Sequence, residues 1–298
     1  MIRDWQNKFV VPVLHYELKY RGNFLNDAWW NGELVTEDSI FRFPVRCGIP
    51  IFTSLPFNEN SIKLLEKFDS RGFFANQLKW IEINWKDAYQ IIIKKEISLY
   101  VQMAKEVAKR NKLILDIASG LGGGFTPLIL YFNKEAKILM NDIEPTVVGA
   151  WRIFLHEKNI KNTSFAAFDA TRIPIKTNSV DIVVSSGDFG NIPMNYIAFH
   201  EVYRILRSKG YLFIADGITY LESFKHLPSL IEIIHDISFA LNKIGYREFL
   251  EKLGFEIELF ETTKESTLSP DEGEFPRLAW KYKVKIKYCG VYIIARKP

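Results

Sequence analysis

The residues best suited to chemistry stand at the ends of short apolar runs. In Lys112–Gly124, KLILDIASGLGGG, an apolar run stops at Asp116 and opens into a turn of small residues that includes Ala118, Gly120 and Gly122. Small residues let the backbone come close to a ligand, and amides at a following helix start can face it. Nicotinamide and flavin enzymes use a related turn, so the glycines alone do not decide the ligand. The next apolar run, Lys137–Asn141, leads into Asp142 within NDIEP. A carboxylate after the second strand is placed to accept hydrogen bonds from ribose hydroxyls. A third run ends at Asp169 and Ala170 in FAAFDATRIP, and a fourth, SVDIVVSSGDFGNIP, carries Ser186, Gly187, Asp188 and Asn191 in the loop beyond its end. Asp216 follows a fifth run, Gly210–Ala215.

Positioning these groups calls for a particular scaffold. The runs 112–117, 137–140, 163–168, 180–185 and 210–215 are continuously apolar and alternate with helical patterns at 147–157 and 196–206. Strands of that kind belong to a parallel sheet covered on both faces. The expected fold is α/β, a doubly wound, seven-stranded, mostly parallel sheet. A helix is expected over about 87–110, a long helical stretch over 221–244, a short helix over 246–253 ended by Gly254, and a strand over 255–262. In 279–296 the residues Trp280, Tyr282, Val284, Ile286 and Tyr288 alternate with lysines, which predicts a strand with one buried face. Its lysine face reads either as solvated edge protection or as a phosphate-facing surface. Residues 1–85 are of another texture: short strand-like pieces at 39–45 and 49–54, and a helix start near Ser61, are separated by turn residues. The chain therefore divides into an N-terminal β-rich lid or recognition segment, 1–85, and a main domain, 86–298, in which 221–244 is a candidate inserted lid helix.

Totals bound the function class. With 298 residues, 48% of them hydrophobic, the chain can bury a large core. A net charge of +4 is too mild to indicate nucleic acid, while permitting it. Two cysteines cannot form a four-cysteine zinc site and do not suggest a disulfide framework, so no metal site is expected. No apolar run approaches the roughly 20 residues needed to span a bilayer, and MIRDWQNKFVVP lacks the layout of a signal peptide. A cytoplasmic protein without membrane contact is the default expectation.

Taken in order, the motifs resemble the class I S-adenosylmethionine-dependent methyltransferases, of the type 11/25-like kind, over roughly residues 87–262. The stretch EVYRILRSKGYL adds the family's helix-and-turn pattern before the fifth strand. The resemblance implies a Rossmann-like fold and S-adenosyl-L-methionine as cofactor. It implies that Asp116, Ala118, Gly120 and Gly122 hold the methionine part, Asp142 the ribose and Ile143 the adenine face. It places Asp169 and Ala170 at the adenine edge, and Ser186 and Gly187 under the sulfur. Asp116, Asp142 and Asp169 would then share one rim. Two departures stand out. Ala118 occupies a position where glycine is usual, and SSGDFGNIP lacks the Asn/Asp-Pro-Pro-aromatic signature of enzymes acting on base amino groups. The upstream stretch GELVTEDSIFRFPVRCGIPIF is similar to the tail of small zinc-ribbon modules, without their cysteines, so packing would have to hold it.

The implied reaction is methyl transfer, to a small molecule in preference to RNA. Asp188 is the candidate general base, and Asp188, Asn191 and Asp216 are the candidate acceptor-side residues. The competing reading is a catalytically silent, methyltransferase-like subunit that binds a partner. A nicotinamide-dependent oxidoreductase would require a catalytic Tyr/Lys or His pair that the sequence does not show.

Overall fold

The computed structural model describes residues 3–53, 70–93, 98–110, 112–187, 189–221, 243–272, 277, 280–281, 283 and 285–298. A short helix, α1 (Arg3–Gln6), precedes four strands: β1 (Lys19–Leu25), β2 (Ala28–Val35), β3 (Arg42–Arg46) and β4 (Ile49–Pro50). Two helices follow, α2 (Ala75–Ile93) and α3 (Leu99–Lys109). The alternating part then runs β5 (Leu113–Asp116), α4 (Thr126–Phe132), β6 (Lys137–Asp142), α5 (Pro145–Glu157), β7 (Thr163–Ala167), β8 (Val180–Ser186), α6 (Asn195–Ile205) and β9 (Leu206–Leu221). It closes with α7 (Lys243–Leu253), β10 (Glu256–Thr262), β11 (Ser266–Thr267) and β12 (Ile286–Arg296).

The main sheet has the order β10-β12-β9-β8-β5-β6-β7, with β11 paired to β12 beside this path. From β7 to β9 all neighbours are parallel. β12 inserts antiparallel between β9 and β10. This is the doubly wound, mostly parallel sheet expected from the apolar runs, and its direction of winding reverses between β5 and β8. Open α/β sheets bind ligands beyond the strand ends at such a reversal.

Both faces of the sheet are buried. On β5, Leu113 and Leu115 join one apolar cluster with Phe199, Val202 and Leu250, while Ile114 joins another with Met103, Leu128 and Trp151. Period-two alternation thus feeds two cores, which is why these strands read as unbroken hydrophobic runs.

The N-terminal strands form a second, antiparallel sheet, β1-β2-β3-β4. It docks against the β7 edge, where Ile51 bridges Ala167 in parallel and Phe52 N–H donates to Ala167 O at 2.8 Å. Trp5, Phe9, Trp29, Leu34 and Val45 belong to the same buried cluster as Leu115 and Val183. Docking here protects the edge of β7 from pairing with another chain.

Three boundaries differ from the sequence reading. The helix expected over 87–110 is two helices, because Ser98 adopts an extended conformation (φ −78°, ψ 150°) and caps α3 by accepting from Val101 N–H, the usual task of a serine at a helix start. The apolar spacing carries on through the boundary, so periodicity could not reveal it. The strand expected from 279 begins at Ile286. Lys283, at φ 58°, closes a turn onto Trp280 O instead. The last strand into the cleft region, β9, reaches Leu221 and is longer than the apolar run 210–215. The expected helix starting near Ser61 and most of the expected helix 221–244 lie outside the described residues.

Candidate active site

The parallel register sets the depth of each strand-ending aspartate. Asp116 pairs level with Met140, so β6 continues two residues further before reaching Asp142. Asp142 in turn is level with Ala167, and Asp169 stands two residues beyond that. At about 3.3 Å per residue, Asp116 therefore lies on the order of 7 Å deeper than Asp142.

The consequence is visible in their surroundings. Asp116 is fully buried. Its Oδ2 accepts from the Thr126 amide at 2.9 Å and the Thr126 hydroxyl at 2.7 Å. Phe125, the residue at the cap of α4, makes no side-chain cap, so Asp116 supplies one from the neighbouring strand. A Cβ on Gly124, at φ 54°, would lie 2.5 Å from Asp116 Oδ1, which explains a glycine there.

Asp142 sits at the surface of the turn. Its Oδ2 accepts from Gly120 N–H at 3.0 Å and its Oδ1 from Glu144 N–H at 2.9 Å. Each oxygen keeps lone-pair capacity for a further donor. Burial pushes its pKa upward, against the lowering effect of these amides. Asp169 differs. Burial pushes it up too, but the Thr171 hydroxyl and amide and the Arg172 guanidinium outweigh that and hold its carboxyl below the usual range.

Between them opens a cleft of about 310 Å³. Its walls come from Ala118 and Gly120, from Asp142 and Ile143, from Phe168 to Thr171, and from the loop Asn191–Met194. Most of this wall is apolar, with the two carboxylates at the ends of neighbouring strands. Ile143 lines it while remaining 60% exposed, an apolar surface left open toward the cleft. Such a shape suits a flat apolar ring joined to a group bearing hydroxyls.

A family model described as a methyltransferase domain matches residues 115–214, the stretch from β5 into β9 that builds this cleft. The chain therefore carries a methyltransferase domain. Its curated relatives include the ubiquinone/menaquinone biosynthesis C-methyltransferase UbiE of Rickettsia felis, 26% identical over 191 residues covering 60% of this chain and 75% of that protein. The enzyme of the same name from Coxiella burnetii (strain Dugway 5J108-111) is 22% identical over 49% of this chain and 60% of its own length. Among solved structures, a putative methyltransferase from Bacillus halodurans C-125 superposes with a TM-score of 0.50 at 21% identity, over 66% of this chain and 98% of that one. The MccD protein gives 0.51 at 16% identity, over 68% and 98%. These two structures show the shared fold.

In this methyltransferase, Gly122 and Gly187 face open space where a Cβ would stand, and Gly187 has φ 82°. Those openings beside the cleft residues leave room for a ligand's extended tail. Ser186 ends β8, half-buried, near the phenol of Tyr100, which donates to Gly124 O at 2.7 Å. Burial pushes the Tyr100 phenol far up, so it stays protonated. Asp216 brackets the loop after β8: Oδ2 accepts from Gly190 N–H and Oδ1 from Gly217 N–H, each at 2.8 Å. Asn191 reaches the cleft, whereas Asp188 lies outside the described residues.

Three contributors escaped the sequence reading. Asn141 is buried; its Nδ2 donates to Phe168 O at 2.9 Å and more weakly to Asp142 O and Ala166 O. Its own backbone carbonyl accepts from the Ser119 amide and hydroxyl. It therefore ties the glycine turn to the end of β7. Trp151 donates from Nε1 to Gly120 O at 2.8 Å, and its ring would meet a Cβ on Gly123 at 2.5 Å. Tyr100 is the third. An asparagine inside an apolar strand was the one available signal, since a buried amide requires partners. Trp151 and Tyr100 read as ordinary helix core.

Proposed function

We propose that the cleft seats the adenosyl part of S-adenosylmethionine and that the chain methylates a small-molecule acceptor. The observation that carries this reading is the pairing of Asp142 and Asp169 across one mostly apolar cleft beside Gly120. In it, the Asp142 oxygens hold the ribose hydroxyls, Ile143 and Phe168 flank the adenine, and Asp169 with Ala170 reads its edge. Ala118, Gly120 and Gly122 give backbone room to the methionine part, and Ser186 and Gly187 lie below the sulfur. Asp116 acts through the turn, by capping α4 and shaping the glycine loop from beneath, and does not touch the cofactor.

The bound cofactor supplies a methyl group already activated on a sulfonium. What remains for the protein is alignment and exclusion of water. Asp216 holds the loop of Asn191 in place by accepting from Gly190 N–H, and Asn191 faces the acceptor. A small-molecule acceptor is supported by the mild net charge and by the likeness to enzymes whose names give quinone biosynthesis as their task.

Calorimetry with S-adenosylmethionine and S-adenosylhomocysteine tests the cofactor part. Saturable binding of both, weakened in Asp142→Ala by on the order of 1–3 kcal/mol, is expected. Failure of the wild-type chain to bind either would favour the silent-subunit reading. For the acceptor, radiolabelled methyl transfer to a panel of quinols and phenols should exceed transfer to total RNA. The reverse ranking would refute the small-molecule assignment.

A further inference from the structure

The glycine turn after β5 is held in two halves by different parts of the fold. In the first half, Ser119 donates from its amide and its hydroxyl to Asn141 O, each at 2.9 Å. Gly120 N–H donates to Asp142 Oδ2, and Gly120 O accepts from Trp151. These braces come from β6 and α5, so they share elements with the Asp142 end of the cleft. In the second half the braces come from the two helices before β5. Asn84 on α2 donates from Nδ2 to Leu121 O at 3.3 Å, and Tyr100 on α3 donates its phenol to Gly124 O at 2.7 Å.

Ring packing fixes both donors. Trp85, beside Asn84, has its ring centroid 6.2 Å from that of Trp151 and 5.3 Å from that of Phe154. The Tyr100 ring lies 4.7 Å from Phe125. The segment they hold has little stiffness of its own. Gly123 and Gly124 have φ of 80° and 54°, and a Cβ on Gly122 would meet open space. Glycine populates both signs of φ, so a peptide plane here can turn over at small cost. In a trans peptide the C=O and the following N–H point opposite ways. A donor that holds Leu121 O therefore also aims the Gly122 amide, and one that holds Gly124 O aims the Phe125 amide. The Tyr100 phenol also stands near Ser186 at the end of β8, so it adjoins both surfaces assigned above to the sulfur and the methionine tail.

We propose that Tyr100 and Asn84 are positioning residues for the methionine end of the cofactor. They act on it through the second half of the turn, while the first half and Asp142 serve the adenosine end. The inference rests on the reading of the cleft as the seat of S-adenosylmethionine. It gives α2 and α3 a share in holding the methyl-bearing end, though neither helix supplies a wall of the adenosine cleft.

Calorimetry on the full chain with two probes tests the division. S-adenosylhomocysteine carries both ends, and 5′-methylthioadenosine keeps the adenosine and the sulfur but lacks the amino-acid tail. Tyr100→Phe should weaken S-adenosylhomocysteine about fivefold and Asn84→Ala about threefold, with methylthioadenosine held within about twofold of wild type. Asp142→Ala should weaken both probes. Tyr100→Phe keeps the ring against Phe125, and retained binding of methylthioadenosine reports an intact cleft, so a lost fold cannot imitate the expected result. Equal weakening of the two probes by Tyr100→Phe overturns the proposal, because it makes the phenol a brace of the whole cleft. Unchanged binding of S-adenosylhomocysteine in both variants overturns it as well. A wild-type chain that binds neither probe refutes the cofactor reading itself, and this inference with it.

Discussion

At the scale of single residues, Asp142 and Ala118 are the most exposed to test. Asp142 owes its raised pKa to burial, and in the proposed complex its charged form accepts the ribose hydroxyls. As pH falls through that raised pKa, the carboxylate is neutralised and cofactor affinity should fall with it. Asp142→Asn should bind more weakly and lose this pH dependence, read by calorimetry across the acidic range. For folding alone the sign is opposite: an acid with a raised folded pKa costs stability as pH rises through the window between its unfolded and folded values. Ala118 has a positive φ of 52°. That left-handed conformation costs a non-glycine residue roughly 1–2 kcal/mol. Part of the cost is offset by the stiffer unfolded chain. Ala118→Gly should therefore gain about 0.5–1 kcal/mol in denaturant unfolding, and an equal or lower stability would show that the methyl contributes packing that the backbone strain hides.

Elements meet at the turn between β5 and α4, and the turn has little intrinsic reason to hold its shape. It is braced from three sides: Asp116 below, the backbone carbonyl of Asn141 from β6, which accepts from Ser119, and Trp151 from α5. Asn141→Val would strand several backbone groups at once. A loss on the order of 1–3 kcal/mol is expected in thermal unfolding, together with weaker cofactor binding. Full cofactor affinity in a destabilised variant would separate bracing from binding and refute the coupling. Trp151→Phe keeps the ring packing and removes only the bond to Gly120 O. Its effect on stability should be about 1 kcal/mol, and a larger share should appear in the KM for S-adenosylmethionine than in kcat.

For the whole molecule, the question is whether residues 3–53 can be separated from the sheet. Their Trp5, Phe9, Val11 and Trp29 are buried in one cluster with β5, β8 and α6. Truncation before residue 54 would uncover this apolar surface and the β7 edge together. The shortened chain should lack a cooperative thermal transition and aggregate. A sharp transition with intact cofactor binding would show instead that the N-terminal sheet is an independent unit. Among the described residues no helix is long and apolar enough to cross a membrane, and no cluster of three metal-ligating side chains occurs.

Local pattern was enough to reveal the alternating strands and the methyltransferase motifs, because buried parallel strands must be apolar throughout and a close backbone turn must be small. Those requirements act within a few neighbouring residues, so they are written into the order of the chain. The same pattern presented Asp116, Asp142 and Asp169 as equivalents, each ending a strand. Only the parallel register made them different, sinking Asp116 beneath the turn and raising the other two to the cleft. Likewise the break at Ser98 and the roles of Asn141 and Trp151 depend on which segments come to lie side by side. Depth, partnership and enclosed space are relations between distant parts of the chain, and tertiary packing alone decides them.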